Sequence, residues 1–414
     1  MRILILSQVY WPDTASTAQH LADLGAALAK AGHEVQVLAS RHDYENPARC
    51  YPMEENHAGV KIRRLRHTGL GKGAVWKRVV DFGTFNLVLL WRLLWSGRGE
   101  AEVVLGMTSP PLVSFLGALV SRWKGWRFCY WAMDLQPELA IQAGMLRKGS
   151  LAARLLEGMG NAVFHRADRV VALDDFMANH VRSRGARPEA VAVLPVWPVM
   201  PEAWQGPRLA NPFRLAQGFG DRIVVMYSGN HAVVHPLDTL LEAARQVQDD
   251  PRFLFVFIGG GVRSADVRAF REAHGLKHVV QLPYQPREVI HESLAAADLH
   301  VVVMGDGQVG YTHPNKVYGA MFLGRPFLYL GPDPSHITVL TEACPGNLRA
   351  GHGDVPAVLQ GLRDFQTAGP AVWEEVGQRN AAYAREHFHA DQLIPRMVEL
   401  VAGKGAAEDL RLET

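Results

Sequence analysis

Short apolar runs alternate along the chain with segments in which apolar residues recur every three or four positions. Ile3–Leu6 is wholly apolar, which is typical of a strand buried on both faces of a parallel sheet. Leu21, Leu24 and Leu28 then fall on one face of a helix, and Val35–Leu38 is the next strand-like run. The chain is therefore predicted to open with a strand–helix–strand unit.

This alternation continues through the chain with one interruption. Residues 195–220 are rich in proline and glycine, a composition typical of a linker between domains. Further strands are predicted before the linker at Val103–Leu105, Arg127–Trp131, Arg169–Leu173 and Val191–Leu194, and after it at Ile223–Tyr227, Phe253–Ile258, Val279–Leu282, Asp298–Met304 and Pro326–Leu330. The pattern predicts an α/β protein of two successive βα domains with a cleft between them.

Composition supports a globular protein and disfavours several classes. With 414 residues, 48% apolar and 20% charged, the chain suits two or three domains with full cores. The net charge of +2 gives no reason to expect nucleic acid as a partner. Cys50, Cys129 and Cys344 are widely spaced and are interpreted as buried thiols in a reducing compartment. Neither a signal peptide nor a transmembrane helix is predicted, because the apolar run at the N-terminus is too short and no run of about 18 apolar residues follows.

The stretch His313–Pro326 carries the strongest local signal for anion binding. It follows the loop Gly305–Thr312, whose three glycines leave room for backbone N–H groups to approach an anion. A helix is predicted to begin near Pro314, and Lys316 in its first turn adds a full positive charge. The alternative is a glycine-rich turn before a core helix, with the lysine in solvent. The opening unit lacks the glycine triplet of a dinucleotide-binding turn, so a nicotinamide dehydrogenase is disfavoured.

The segment 72–98 combines basic residues with tryptophan and leucine. Its basic residues are Lys72, Lys77, Arg78, Arg92 and Arg98, and its tryptophans are Trp76, Trp91 and Trp95. This composition suits a helix lying in the headgroup region of a bilayer. A core helix packed between sheet and loops is the alternative, and a helix with one core face and one membrane face would combine the two.

Two carboxylates follow the predicted strand Arg127–Trp131. Ligands of open α/β sheets bind at the carboxyl edge of the strands, where Asp134 and Glu138 are expected. Their spacing would put both side chains on one face of a helical turn, and the alternative is that one of them caps the helix. No nucleophile elbow is present, which disfavours a serine hydrolase.

Several motifs, taken together and in order, resemble those of the retaining GT-B glycosyltransferases of family 4. The likeness is to the bacterial exopolysaccharide and lipopolysaccharide branch, with its colanic-acid-type and fucosamine-type transferases. The motifs are Thr108–Leu112, Asp134–Glu138 (similar to the family's Asp-Leu-Trp-Pro-Glu), Ser228–Asn230, Leu282–Tyr284, Pro314–Tyr318 and Gly324–Pro326.

The resemblance covers nearly the whole chain and implies the GT-B fold, in which two Rossmann-like βαβ domains face a central cleft. An N-terminal acceptor domain is expected at 1–198 and a C-terminal nucleotide-sugar domain at 199–378. A crossover helix and tail are expected at 379–414, where a helix near Glu374–Phe388 would return to the first domain.

The resemblance also implies roles for individual residues. Donor binding is implied for Ser228, Gly229, Asn230, His231, His235, Gly260, Pro283, Tyr284, Val309, Gly310, Tyr311, His313, Asn315 and Lys316. Acceptor binding is implied for Tyr10, Trp11, Asp13, Thr14, Ser16, Thr17 and His20. For His20 and His313, a packed or surface histidine is the alternative.

Asp134, Glu138 and Lys316 are the predicted catalytic residues, with Asp134 as base toward an acceptor hydroxyl or as a contact to the donor sugar. Preorganised N–H groups and a lysine stabilise a diphosphate leaving group without a metal, so no metal is expected. No cofactor is expected either, because the nucleotide-sugar is a substrate.

The chain departs from the family pattern at two places. Where relatives carry an arginine and a lysine to neutralise the diphosphate, residues 231–235 offer only His231 and His235. An adjacent anion would raise their pKa and favour activity at lower pH. The family's Glu-x7-Glu pair falls on Tyr311 and Gly319, so the usual carboxylate for the ribose is missing.

The sequence therefore predicts a glycosyltransferase that moves a sugar from a nucleoside-diphosphate sugar, UDP-sugar favoured, to a saccharide or lipid-linked acceptor in cell-surface polysaccharide or glycolipid synthesis. It is expected in the cytoplasm, peripheral to the inner face of the plasma membrane through residues 72–98. A nucleotide-sugar 2-epimerase of the same fold and a non-catalytic nucleotide-binding relative are the alternatives.

Overall fold

The computed structural model describes residues 1–71, 73–199, 204 and 206–403. Lys72 of the predicted basic segment, residues 200–203 and 205 of the predicted linker, and the tail 404–414 lie outside the described residues. Contacts divide the chain into two compact units. The first contains residues 1–197, 310–313 and 390–403, and the second contains residues 198–309 and 314–389.

The first unit is built on a mostly parallel sheet. Its elements up to residue 197 are β1 (Arg2–Leu6), α1 (Ser16–Lys30), β2 (Glu34–Ser40), β3 (Glu54–His57), β4 (Val60–Leu65), α2 (Val75–Trp95), β5 (Val103–Met107), α3 (Val113–Lys124), β6 (Arg127–Trp131), α4 (Glu138–Gln142), α5 (Leu151–Arg166), β7 (Arg169–Ala172), α6 (Asp175–Ser183) and β8 (Val191–Val193). Among the described residues the sheet has eight strands in the order β3-β4-β2-β1-β5-β6-β7-β8. Helices cover both faces, so the central strands are buried along nearly their whole length, as their apolar runs predict.

An antiparallel hairpin forms one edge of this sheet. Strands β3 and β4 pair antiparallel, with Glu54 opposite Arg63. Exposed and half-buried residues alternate in β3, whereas β4 starts with an alternation and ends with buried Arg64 and Leu65. Both strands are short and rich in charged residues, and neither was predicted from the sequence.

Helix α2 is buried on one side and exposed on the other. Phe85, Leu89 and Leu93 are buried in the unit, whereas Trp91 and Trp95 are 65% and 73% exposed. The described helix therefore has a core face and an apolar solvent face. None of the helices in the described ranges is long and apolar enough to cross a membrane.

The second unit has a wholly parallel sheet. Its elements are α7 (Pro212–Ala216), β9 (Ile223–Ser228), α8 (Asp238–Gln246), β10 (Phe253–Ile258), α9 (Ser264–Ala273), β11 (Val279–Leu282), α10 (Ile290–Ala295), β12 (Leu299–Val303), α11 (Lys316–Phe322), β13 (Phe327–Leu330), α12 (His336–Ala343), β14 (Leu348–Ala350) and α13 (Val355–His387). The described strands run in the order β11-β10-β9-β12-β13-β14. Alternate residues of the strands enter two apolar clusters, one on each face of the sheet. The prediction of two Rossmann-like α/β domains is confirmed.

The C-terminal helices belong to different units. Helix α13 bends at Gly369, whose φ is 75°, immediately before Pro370, and it stays in the second unit. Helix α14 (Ala390–Ala402) lies in the first unit, where it packs against α1. The return to the first unit thus occurs at residue 390, and the predicted crossover near Glu374–Phe388 lies in the second unit.

Candidate active site

Two glycine turns meet at the carboxyl edge of the second sheet. Gly229 follows β9 closely, and Gly259 and Gly261 follow β10. Their φ angles of 126°, 123° and 135° are rarely adopted by other residues. A Cβ on Gly259 would lie 2.2 Å from the carbonyl oxygen of Gly229, and one on Gly261 would lie 2.4 Å from Oδ1 of Asn230. The turns therefore approach each other closely only because these positions lack side chains.

This edge presents unused backbone donors. The N–H of Gly229 donates to Ile258, and that of His231 donates to Gly260. In contrast, the N–H groups of Asn230 and Gly260 donate to no acceptor in the part of the chain that the structure describes. Such groups at the carboxyl edge of parallel strands suit an anionic ligand.

Lys316 reaches these turns from the start of α11. Its Nζ donates to the hydroxyl of Tyr227 at 2.6 Å and lies 4.0 Å from the centre of that ring. It is also 3.5 Å from the carbonyl oxygen of Asn230. A Cβ on Gly229 would lie 2.6 Å from Cε of Lys316, so the lysine stem crosses the glycine. Burial lowers the pKa of Lys316 to about 7, which makes its charge sensitive to a bound anion.

Burial in the ligand-free protein opposes protonation of both histidines of this site, whereas their predicted protonation depends on a bound anion. Burial, with a smaller effect of the charge on Lys316, lowers the pKa of His231 and lowers that of His235 to about 3. His231 is buried, and its Nε2 has no hydrogen-bond partner among the described residues. This ring nitrogen therefore has hydrogen-bonding capacity that the described part of the protein does not use.

The other predicted donor residues of the second unit surround the same edge. Tyr284 is 53% exposed, and its hydroxyl donates to Gly260 at 3.3 Å, so its ring covers the glycine turn. Pro283 beside it is exposed, and Ser228 ends β9. Asn315 immediately precedes α11 and keeps a buried amide oxygen that accepts no hydrogen bond in the described chain.

Asp134 lies at the carboxyl edge of the first sheet, just after β6. Its backbone N–H faces Oγ1 of Thr108 at 3.5 Å, and its side chain is exposed. Surrounding protein atoms nevertheless raise the pKa of the carboxyl group to about 6, and a charge on His313 would oppose this shift. A carboxylate with this pKa suits proton abstraction near neutral pH.

Glu138 takes part in an ion pair within the protein. It is buried at the start of α4, accepts a hydrogen bond from Arg184, and lies 3.3 Å from Nε2 of His180. Burial alone would raise its pKa, but the bond to His180 and the charge of Arg184 hold the pKa below the ordinary value. Asp134 precedes α4, which begins at Glu138. The prediction that both carboxylates lie on one face of a helical turn is therefore wrong. The partners of Glu138 favour a structural role.

Residues 310–313, which we name the returning segment, pack in the first unit. The carbonyl oxygen of Tyr311 accepts a hydrogen bond from the N–H of Leu135 at 2.8 Å. His313 is buried, with its Nδ1 2.6 Å from Oδ2 of Asp174. Gly310, Tyr311 and His313 thus lie in the first unit, whereas Val309 is in the second. The returning segment supports the backbone next to Asp134.

The predicted acceptor loop is only partly exposed. Thr14 and Ser16 are exposed, and Thr17 is half-buried in the first turn of α1. Half-buried Trp11 stacks on His57 with ring centres 3.9 Å apart, and Tyr10 is buried. Thr14 and Ser16 therefore offer the most surface for a ligand.

Two polar residues of that loop are used inside the protein. Asp13 is buried and accepts hydrogen bonds from the N–H of Tyr44 at 3.0 Å and the hydroxyl of Tyr51 at 3.2 Å. His20 is also buried, with its Nε2 2.9 Å from the carbonyl oxygen of Trp197. Burial leaves Asp13 and His20 little surface for an acceptor, and their role in acceptor binding stays a prediction.

Three residues that support the candidate site were not predicted from the sequence. Tyr227 positions Lys316, Asp174 holds His313, and Arg184 pairs with Glu138. Tyr227 and Asp174 each stand near the carboxyl end of a buried strand, the signal that identified Asp134. Arg184 carries no such signal. No group of three His, Cys, Asp or Glu side chains in residues 1–71, 73–199, 204 and 206–403 is arranged to hold a metal ion.

Comparisons with known sequences agree with the geometry. Residues 17–197 match a family model described as a glycosyl transferase 4-like domain. The colanic acid biosynthesis glycosyl transferase WcaI of Escherichia coli (strain K12) is 22% identical over 367 residues, 84% of this chain and 87% of WcaI. The glycosyltransferase WbjE of Pseudomonas aeruginosa is 26% identical over 272 residues, 64% of this chain and 67% of WbjE.

Solved structures share the fold over nearly the whole chain. Sucrose-phosphate synthase from Thermosynechococcus elongatus has a TM-score of 0.73 at 16% identity, over 97% of this chain and 98% of that one. Anabaena HepE in complex with UDP has a TM-score of 0.69 at 15% identity, over 97% of this chain and 100% of HepE. These comparisons confirm the predicted GT-B fold and the predicted resemblance to family 4 glycosyltransferases, and residues 17–197 form a glycosyl transferase 4-like domain.

Proposed function

We propose that the protein transfers a sugar from a UDP-sugar to a saccharide or lipid-linked acceptor in the synthesis of cell-surface polysaccharide or glycolipid. The observation that carries the proposal is Lys316, whose ammonium group lies at a glycine-lined edge with unused N–H groups on Asn230 and Gly260. UDP is preferred as the nucleotide because HepE, which has the same fold, was solved with UDP and with UDP-glucose.

The chemistry follows from the charge that develops during transfer. The bond between the sugar and the diphosphate breaks, and the leaving oxygen gains negative charge. A preorganised cation and fixed N–H donors stabilise this charge without reorganising, so the proposed reaction needs no metal ion. Transfer with retention of the anomeric configuration is proposed from the family resemblance, with Asp134 accepting the proton of the acceptor hydroxyl.

Calorimetric titration of the protein with UDP, GDP, ADP and dTDP tests the donor proposal directly. We expect saturable binding of UDP and at least tenfold weaker binding of the other three, a difference of about 1.4 kcal/mol or more. Binding of none of the four at millimolar concentration would contradict the proposal. Preference for another base would overturn the assignment of UDP.

We also propose that the exposed side of α2 rests on an anionic membrane surface at the cytoplasmic side. Trp91 and Trp95 lie 5.3 Å apart on this side, and Lys77 lies 5.8 Å from the ring of Trp76. Tryptophan and lysine together are typical of helices that lie in the headgroup region. The only acidic residue of α2, Asp81, is buried and accepts hydrogen bonds from backbone N–H groups.

Replacing Trp91 and Trp95 with serine is expected to weaken binding to phosphatidylglycerol-containing vesicles at least tenfold in a flotation assay. Both rings are exposed, so the change removes apolar surface without opening a cavity. The matched control replaces exposed Leu209 and Leu215 of the second unit with serine and should bind like the wild type. Equal binding by both double variants would contradict the proposed surface.

A further inference from the structure

An apolar pocket lies at the carboxyl edge of the first sheet. It has a volume of about 100 Å³ and is enclosed by the motif Thr108–Leu112, by α3 and by α5. Its apolar lining includes Leu112, Phe115, Leu156, Met159, Val163 and Phe164. The lining provides no charged side chain, so the pocket suits a hydrocarbon group and not a sugar or a phosphate.

The motif Thr108–Leu112 holds an unusual backbone conformation at this pocket. Leu112 has a φ of 77°, in the left-handed region that side-chain-bearing residues rarely adopt. Asn86 of α2 holds the preceding turn by donating to the carbonyl oxygen of Pro111 at 2.9 Å. A strained residue of this kind persists only where its surroundings enforce it, and such residues cluster at ligand sites.

The pocket adjoins the proposed base. Thr108 lines the pocket, and its Oγ1 lies 3.5 Å from the backbone nitrogen of Asp134. Gln136 and Pro137, two and three residues after Asp134, also line it. A molecule with its polar end at Asp134 thus has an apolar cavity next to it in the same unit.

The helices around the pocket carry an exposed surface that is both apolar and basic. Leu119 and Trp123 of α3 are exposed, as are Leu151 and Leu155 of α5. Helix α3 packs between α2 and α5, so these residues extend the exposed side of α2. The cation of Lys124 lies 4.6 Å from the ring of Trp123, and α3 contains no acidic residue. This surface is complementary to anionic lipid headgroups above a hydrocarbon layer.

We propose that the pocket receives part of the hydrocarbon chain of a lipid-linked acceptor. The inference rests on the proposed function and narrows its acceptor to a lipid. An apolar cavity of about 150 Å³ accommodates a benzene ring, so a pocket of about 100 Å³ has room for a few carbon atoms of a chain. The acceptor sugar or phosphate would lie outside the pocket, toward Asp134.

Two glycines of α5 provide a matched pair of variants. Gly160 lines the pocket, and a Cβ there would lie 3.4 Å from the carbonyl oxygen of Gln136. Gly158 lies two residues earlier in the helix, and a Cβ there would meet no atom of the described residues within 4 Å apart from the adjacent helix backbone. Leucine at either position raises helix propensity by a similar amount. Only Gly160→Leu places a large side chain in the pocket.

The test is calorimetric titration of the full-length wild type, Gly160→Leu and Gly158→Leu with dodecyl phosphate, with farnesyl phosphate and with inorganic phosphate, all below micelle formation. For one or both of the chain-bearing phosphates, we expect the affinity of Gly160→Leu to be at least tenfold lower than that of the wild type and of Gly158→Leu. Tighter binding of dodecyl phosphate would indicate an acyl chain, and tighter binding of farnesyl phosphate a prenyl chain.

Equal affinity of Gly160→Leu and Gly158→Leu for the chain-bearing phosphates would overturn the proposal. It would also be overturned if the wild type bound neither chain-bearing phosphate, or bound both no more tightly than inorganic phosphate. UDP is titrated into each protein in parallel, because the proposed nucleotide contacts are in the second unit. If the wild type does not bind UDP, the result counts against the proposed function. A lower affinity of Gly160→Leu for the chain-bearing phosphates would still show that the pocket binds a hydrocarbon chain. Because Gly160 belongs to the first unit, a thermal unfolding transition of Gly160→Leu that matches the wild type is the control showing that this variant is folded.

Discussion

Lys316→Ala is expected to weaken UDP binding more than tenfold, or by over about 1.4 kcal/mol. It is also expected to slow release of UDP from a UDP-sugar by about 10²–10³-fold. The ammonium group is half-buried beside the glycine turns, where its attraction to a diphosphate is only partly screened by water. Calorimetry measures the first effect, and steady-state kinetics at saturating UDP-sugar measures the second.

Lys277→Ala provides the matched control for this change. Lys277 is an exposed lysine of the same unit, and its removal should leave both UDP affinity and turnover within twofold of the wild type. Unchanged UDP affinity in Lys316→Ala would show that the diphosphate binds elsewhere.

The same lysine gives UDP binding a defined pH dependence. Burial lowers the pKa of Lys316 to about 7 in the ligand-free protein, and a bound diphosphate favours the protonated form. Affinity should therefore fall as the pH rises above 7, and binding at pH 8 should take up a proton. Proton uptake is measured as a dependence of the binding heat on the ionisation enthalpy of the buffer. This dependence should disappear in Lys316→Arg. The sequence also suggested activity at lower pH, but it assigned the effect to His231 and His235, whose pKa values burial lowers in the ligand-free protein.

Asp134→Asn is expected to lower the transfer rate by about 10²–10⁴-fold while UDP affinity stays within twofold of the wild type. The amide keeps the size of the side chain but cannot accept a proton from the acceptor. Because the pKa of Asp134 is raised to about 6, the wild-type rate should rise with pH through that value and then level off. Asp134→Asn should lack this rise.

The control for Asp134 is Asp175→Asn, which changes an exposed aspartate of α6 in the same unit. Its rate and its pH profile should match those of the wild type. A rate of Asp134→Asn within threefold of the wild type would exclude Asp134 as the base.

The sequence was most informative where burial is uniform along an element. Ile3–Leu6 and Phe253–Ile258 are buried on both faces, and their apolar runs identify them as central strands. Strands β3 and β4 form one edge of the sheet, and burial alternates over too few of their residues to distinguish them from a polar loop. The glycine turns were recognisable because they directly follow predicted strands.

Residue roles were harder to predict because they depend on partners distant in sequence. Asp13 resembles an exposed loop carboxylate until Tyr51, 38 residues later, donates to it. Glu138 has its partner Arg184 46 residues away. The protonation of His231 was predicted from a charge it would meet in the complex, whereas burial sets its pKa in the free protein. The spacing of residues along the sequence does not show which distant side chains come into contact or how deeply a side chain is buried.

The returning segment also has a consequence for dividing the gene. A fragment that ends at Trp197 covers the matched family region, but it lacks the carbonyl of Tyr311, the imidazole of His313 and helix α14. The N–H of Leu135 and the carboxylate of Asp174 would lose those contacts beside Asp134. An independent or transplanted first domain therefore has to be assembled from three separate stretches of the chain, with residues 310–313 and 390–403 supplied through designed connections.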